Sequence, residues 1–113
     1  MRSALVAVAL GLTLHASDPG AAGAGAAAAI PRQHVVTIDA SRFQPSSLTV
    51  APGDIVIFRN IDMFPHTATS RLGVFDSKEI QPGKSWKYTV PKKGLFEYFC
   101  ALHPTMKAAL RVR

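Results

Sequence analysis

The chain has 113 residues, 48% hydrophobic and 18% charged, which leaves room for one small domain and excludes a large multidomain enzyme. Thirteen Lys and Arg against seven Asp and Glu give +6, yet the apolar fraction is too high and the charges too scattered for a disordered basic tail. A single cysteine excludes an internal disulfide, so any stabilisation beyond the core has to come from a metal or a partner.

The first segment reads as a targeting element. One Arg precedes an eleven-residue apolar stretch, Ala4 to Leu14, about half the ~20 residues a membrane-spanning helix needs. Asp18-Pro19-Gly20 then breaks any helix, and the Ala/Gly run from Ala21 to Ala29 offers small-x-small cleavage sites. Residues 1–29 are therefore expected to be a signal peptide with its cleavage region, cut near Ala29. The product would be a periplasmic or otherwise exported protein with no transmembrane span in its mature form. An uncleaved anchor is the competing reading, and Pro19 counts against it. A lipid anchor would need a cysteine at the cleavage point, and the only one is Cys100.

From Ile30 to Arg113, Gly and Pro recur about every ten residues, and the stretches between them are rich in Val, Ile, Phe, Tyr and Thr. The pattern predicts an all-β sandwich of about seven strands: His34 to Ala40, Ser47 to Val50, Asp54 to Asn60, His66 to Ser70, Lys84 to Val90, Gly94 to Cys100 and Lys107 to Arg113. Ala51-Pro52-Gly53-Asp54 and Gln81-Pro82-Gly83-Lys84 have the residues of type II turns, and Lys92-Lys93-Gly94 is expected to close a further hairpin. Ala108, Leu110 and Val112 should face the core with Lys107, Arg111 and Arg113 outside, whereas Asp54 to Asn60 is apolar on both faces, as a central strand would be. Trp86, Tyr88 and Val90 share a further face. No helix of convincing length is predicted. The basic residues fall mostly singly, without interleaved aromatic residues for stacking, so neither they nor the expected export suit nucleic acid.

The chemistry is concentrated in Phe99-Cys100-Ala101-Leu102-His103-Pro104-Thr105-Met106-Lys107, where Cys, His and Met fall at three-residue intervals between the last two strands. With four His and three Met in the chain, that spacing around the sole Cys arises by chance roughly once in a thousand sequences of this composition. A thiolate, an imidazole and a thioether combine soft and borderline donors and so favour copper in both oxidation states, whereas structural zinc sites use Cys and His without Met. Phe64-Pro65-His66-Thr67 offers a second imidazole from a different loop. A Cys–His nucleophile is disfavoured because no acidic or amide orienting group lies nearby in sequence. Covalent haem would need a second Cys. His34 is expected to be an exposed strand residue with no ligand role.

Asn60-x-Asp62-x-x-Pro65-His66 followed by Gly94-x-Phe96-x-Tyr98-x-Cys100-x-x-His103-Pro104-x-Met106 resembles the cupredoxins, the blue copper proteins, and among them the amicyanin/plastocyanin-like members with a short ligand loop. The resemblance covers Ile30 to Arg113 and implies a Greek-key β-sandwich that holds one copper (Cu+/Cu2+) through His66, Cys100, His103 and Met106. It implies an electron carrier, not an enzyme. Its partners would be transient redox proteins with acidic docking surfaces, possible examples being an amine dehydrogenase-type donor and a cytochrome acceptor, and the carrier itself a monomer. A copper chaperone or storage module, or a copper subunit of a larger oxidase, is the alternative. Met63, Phe64, Pro65, Leu102 and Pro104 are expected to form an apolar collar around His103. Many family members have Asn after the first His ligand, tying the two ligand loops together. This chain has Thr67, whose hydroxyl is expected to tie them less rigidly.

Overall fold

In a computed structural model, which describes Gly11 and residues 30–113, every regular element is a β-strand. The expected leader, apart from Gly11, lies outside the described residues. Eight strands follow in order: β1 (Gln33–Asp39), β2 (Arg42–Gln44), β3 (Ser47–Val50), β4 (Ile55–Asn60), β5 (Thr69–Ser70), β6 (Ser85–Thr89), β7 (Gly94–Phe99) and β8 (Lys107–Val112). They form two four-stranded sheets in the orders β2-β1-β4-β6 and β3-β8-β7-β5. β1 runs parallel to β4 and β3 parallel to β8, while the other pairs are antiparallel. Among the described residues no helix is long and apolar enough to cross a membrane.

Period-two alternation places the core between the sheets. Ala108, Leu110 and Val112 of β8 point inward and Lys107 and Arg111 outward, as the sequence predicts. β4 is central, between β1 and β6. Its Val56, Phe58 and Asn60 are fully buried and its Ile55 and Ile57 half-buried. Tyr98 meets Phe43 and Phe58 edge-on, with ring centroids at 4.8 and 5.4 Å, the arrangement aromatic quadrupoles prefer. Trp86 and Tyr88 stack on each other at 5.6 Å and pack against the core from the side of Phe75.

The structure adds one strand and shortens another. β2 is only three residues long and turns one side chain, Phe43, into the core, too little pattern for alternation to register. It pairs with β1 through a two-residue turn in which Ala40 and Ser41 have φ of 49° and 55°, the left-handed pair a type I′ turn requires. The strand expected from His66 shrinks to Thr69–Ser70, because His66 makes only an isolated bridge to Ile80 and Ala68 donates to the Ser77 hydroxyl at 2.7 Å.

Both predicted type II turns form. Asp54 N donates to Ala51 O and Lys84 N to Gln81 O, each at 3.0 Å, with Gly53 and Gly83 at φ of 89° and 78°. Lys92-Lys93-Gly94 closes no hairpin: β6 and β7 lie in different sheets, so this turn is a crossover. At the start of β4, Asp54 accepts hydrogen bonds from Ala51 N, Arg32 N and His34 Nε2 at 3.0, 3.1 and 2.9 Å. His34 is thus not the exposed residue expected but half of a clasp at the opposite end of β4 from His66.

Candidate metal centre

β4 delivers the chain to the other end of the sandwich and closes it with Asn60. The side-chain amide of this fully buried residue donates to Phe64 O and Ile80 O, both at 2.8 Å, and its oxygen accepts from Asp62 N at 2.9 Å. Three bonds from one side chain thereby shape the turn that carries Asp62 and leads into His66. The turn after β1 supports it, since Ser41 N donates to Asp62 Oδ2 at 3.0 Å.

His66 is completely buried. Its Nε2 lies 2.9 Å from Asp62 Oδ2, and because an ionised carboxylate only accepts, Nε2 carries the proton and Nδ1 is left with a free lone pair. The Ser41 N–H and the His66 hydrogen bond hold the Asp62 carboxyl below its ordinary range, so it stays ionised for this role. Nδ1 faces the buried Cys100 sulfur at 3.7 Å.

Cys100 follows β7, and the chain returns to β8 through a tight loop. Cys100 N donates to Met106 O, His103 N to Cys100 O and Met106 N to His103 O, at 3.0, 3.2 and 2.9 Å. Spacings of three residues therefore curl His103 and Met106 back beside Cys100. His103 Nδ1 lies 3.9 Å from the sulfur, and its ring centroid is 5.0 Å from that of His66. One donor atom each from His66, Cys100 and His103 falls within 4.8 Å of the others. An ion held at about 2.0–2.3 Å from each of three such donors separates them by nearly these distances, so the residues fit a mononuclear metal. Met106, the fourth sequence candidate, is buried at the base of the loop, its backbone bonded to both Cys100 and His103.

The two loops are tied by the residue that departs from the pattern. Thr67 N donates to Cys100 Sγ at 3.3 Å, and Ala101 N donates to Thr67 Oγ1 at 2.7 Å. The hydroxyl thus makes a short cross-loop bond, despite the looser tie expected from Thr. At the rim His103 is exposed, and Met63, Phe64 and Leu102, three of the residues expected around it, are 76%, 54% and 43% exposed. These are large values for apolar side chains. The role of Asp62 was not evident from the sequence, although a carboxylate four residues before a buried His was a usable signal.

The model of the cupredoxin-like domain matches residues 3–112. Plastocyanin of Lactuca sativa is 30% identical over 79 residues, spanning 54% of this chain and 75% of that protein. Amicyanin of Paracoccus versutus is 26% identical over 93 residues, 77% of this chain and 70% of that one. The structure of a reduced single-site mutant of amicyanin superposes with a TM-score of 0.69 at 25% identity, covering 78% of this chain and 89% of the other. With its two-sheet sandwich and its cluster of His66, Cys100 and His103, the chain belongs to the cupredoxin-like family.

Proposed function

We propose that the protein is a blue copper electron carrier. It holds one copper ion through His66 and His103 by ring nitrogens, Cys100 by its thiolate and Met106 by its thioether. The observation that carries this reading is the convergence of one nitrogen from each of His66 and His103 on a buried cysteine sulfur, all within 4.8 Å, in the loop that also buries Met106. Two imidazoles, a thiolate and a weak axial thioether are the donor set of electron-transfer copper sites. When bound, copper supplies a one-electron redox couple between Cu+ and Cu2+.

The protein's own residues do the rest. Asp62 fixes the His66 ring and its tautomer, Thr67 N–H supports the thiolate, and the backbone bonds of the 100–106 loop hold His103 and Met106 in place. Ligands set by second-layer hydrogen bonds move little between oxidation states, which keeps transfer fast. With Cys100 and His66 buried and four side chains to hold the ion, no coordination position would be left open for a substrate, which favours a carrier over a catalyst. The exposed edge of His103 is the route for electrons, and Met63, Phe64 and Leu102 form the transient docking surface. The net charge of +6 steers partners with acidic surfaces, such as an amine dehydrogenase-type donor and a cytochrome acceptor, and their association slows as salt rises.

Residues 30–113 constitute this copper domain, acting as a monomer, and residues 1–29 are a leader cleaved near Ala29 that directs export. The test is the optical and electron spin resonance spectrum of the copper-loaded, oxidised protein. Intense absorption in the red with a small copper hyperfine splitting, both lost in Cys100→Ser, is expected. A pale protein with the resonance of ordinary tetragonal Cu2+ would refute the assignment.

A further inference from the structure

Ala101, the residue after Cys100, anchors a chain of hydrogen bonds that runs away from the metal centre to the surface. Its N–H donates to Thr67 Oγ1 at 2.7 Å, Thr67 Oγ1 contacts Thr69 Oγ1 at 2.9 Å, and Thr69 Oγ1 reaches Asp76 Oδ1 at 3.3 Å. The direction is fixed at both ends. A backbone N–H can only donate, so the Thr67 oxygen accepts there, and an ionised carboxylate can only accept, so Thr69 spends its single proton on Asp76. The middle contact must then run from the Thr67 hydroxyl to the Thr69 oxygen. Every proton points outward, and each bond polarises the next so that the Thr67 oxygen becomes a better acceptor for Ala101.

The far end is built in. Asp76 Oδ1 accepts from Lys78 N at 2.9 Å and Oδ2 from Lys78 Nζ at 3.3 Å. Ser70 N–Phe75 O and Ser77 N–Ala68 O bonds of 2.9 and 3.0 Å zip the 75–77 segment onto 68–70, and Asp76 stands opposite Thr69 in that bridge. Asp76 is also the surface end, with 40% of its side chain exposed, whereas Thr67 is buried.

We propose that Thr69 and Asp76 are positioning residues of the metal centre, acting through Thr67 to hold the Ala101 amide and so the start of the Cys100–Met106 loop against the loop of His66. The relay supplies the rigidity that a lone Thr hydroxyl lacks. The inference rests on the copper reading above for its functional consequence, but the relay itself can be examined without metal.

The experiment uses three variants, Thr69→Val, Thr69→Ser and Asp76→Asn. The first readout is deuterium exchange of the Ala101 amide in the metal-free protein. Thr69→Val should speed it roughly fivefold, in line with the loss of one modest hydrogen bond. Asp76→Asn should speed it less, Thr69→Ser should return it to the wild-type rate, and the β8 amides should stay unchanged in all three. The second readout is the reduction potential and thiolate absorption of the copper-loaded protein, which should shift in Thr69→Val and recover in Thr69→Ser. Ala101 exchanging at the wild-type rate in Thr69→Val, or speeding only in step with β8, would overturn the relay. A wild-type protein without the intense red absorption would instead overturn the copper reading, leaving the exchange result to decide the relay alone.

Discussion

Replacing Asn60 by Ala, which removes no metal-ligand candidate, should destabilise the metal-free protein by about 3 kcal/mol. The figure follows from three hydrogen bonds of 2.8–2.9 Å made by one fully buried side chain. Each is worth about 1 kcal/mol net, and more where a partner is left buried and unpaired. The partners differ in that respect. Ile80 O keeps a second donor, His66 N at 3.2 Å, and Phe64 is 54% exposed, so water can reach its carbonyl. The penalty for orphaned groups is therefore small, and the sum stays near the three bonds themselves. For a domain of this size 1 kcal/mol moves the melting point by about 4–8 °C, so a fall of roughly 12–24 °C is expected. Asn60→Asp tests the geometry further, because it keeps the acceptor for Asp62 N but turns a carboxylate oxygen toward two carbonyls. It should be at least as damaging as Ala. Urea denaturation of both metal-free variants measures the effect. A loss below about 1 kcal/mol for Asn60→Ala, or an Asp variant more stable than the Ala one, would show that the Asn60 bonds do not shape this turn.

Tyr98 carries a buried hydroxyl with no hydrogen-bond partner among the described residues, packed between Phe43, Phe58 and Phe75. Tyr98→Phe should be neutral or stabilising by up to about 1 kcal/mol in the urea midpoint, and a clear loss would mean that the oxygen has a partner. Asp54 is held down to about 2 by the Ala51 N–H, then by the His34 hydrogen bond and the Arg32 N–H. Since its folded value lies below the unfolded one of about 3.9, its contribution is complete above that value and disappears as pH falls from about 4 toward 2. Stability of the metal-free protein measured from pH 5 to pH 2 should therefore fall, and Asp54→Asn should flatten the slope; an unchanged slope would remove Asp54 as its source. Asp62→Ala frees the His66 ring that Asp62 Oδ2 orients at 2.9 Å. Copper affinity measured by chelator competition should drop by about 10–100-fold, and an unchanged affinity would show that burial alone holds the ring.

What the sequence disclosed was governed by locality. The three-residue spacings from Cys100 to His103 and Met106 are a local fact, and the loop converts them directly into proximity through the Cys100, His103 and Met106 backbone bonds. Alternation in β8 and the Pro-Gly pairs at Gly53 and Gly83 were legible for the same reason, because each is decided within a few residues. The three-residue strand β2 fell below the length at which alternation carries information, although it supplies Phe43 to the core. Lys92-Lys93-Gly94 failed differently: a turn's residues say that the chain bends, whereas the sheet that receives the next strand depends on pairing partners far away. β7 pairs with β8 and β5, and nothing within the turn encodes that.

The same distinction separates the ligands from the groups that set them. His66 and Cys100 are 34 residues apart, yet both were recognisable because their side chains carry unusual chemistry that few other positions share. Asp62 and Ser41 are common residue types whose importance exists only in the folded arrangement, where they meet His66 and Asp62 at 2.9 and 3.0 Å, and Thr67, singled out beforehand only through the family resemblance, meets Ala101 at 2.7 Å. Thr67 makes the point most directly. Judged by type, a short hydroxyl side chain is a weaker cross-loop tie than an amide, because it offers one donor where the amide offers two. The 2.7 Å bond to Ala101 arises because the Thr67 backbone is itself pinned to Cys100 Sγ at 3.3 Å. With the main chain already that close to the second loop, a short side chain spans the remaining gap and a longer one would have to fold back to do so.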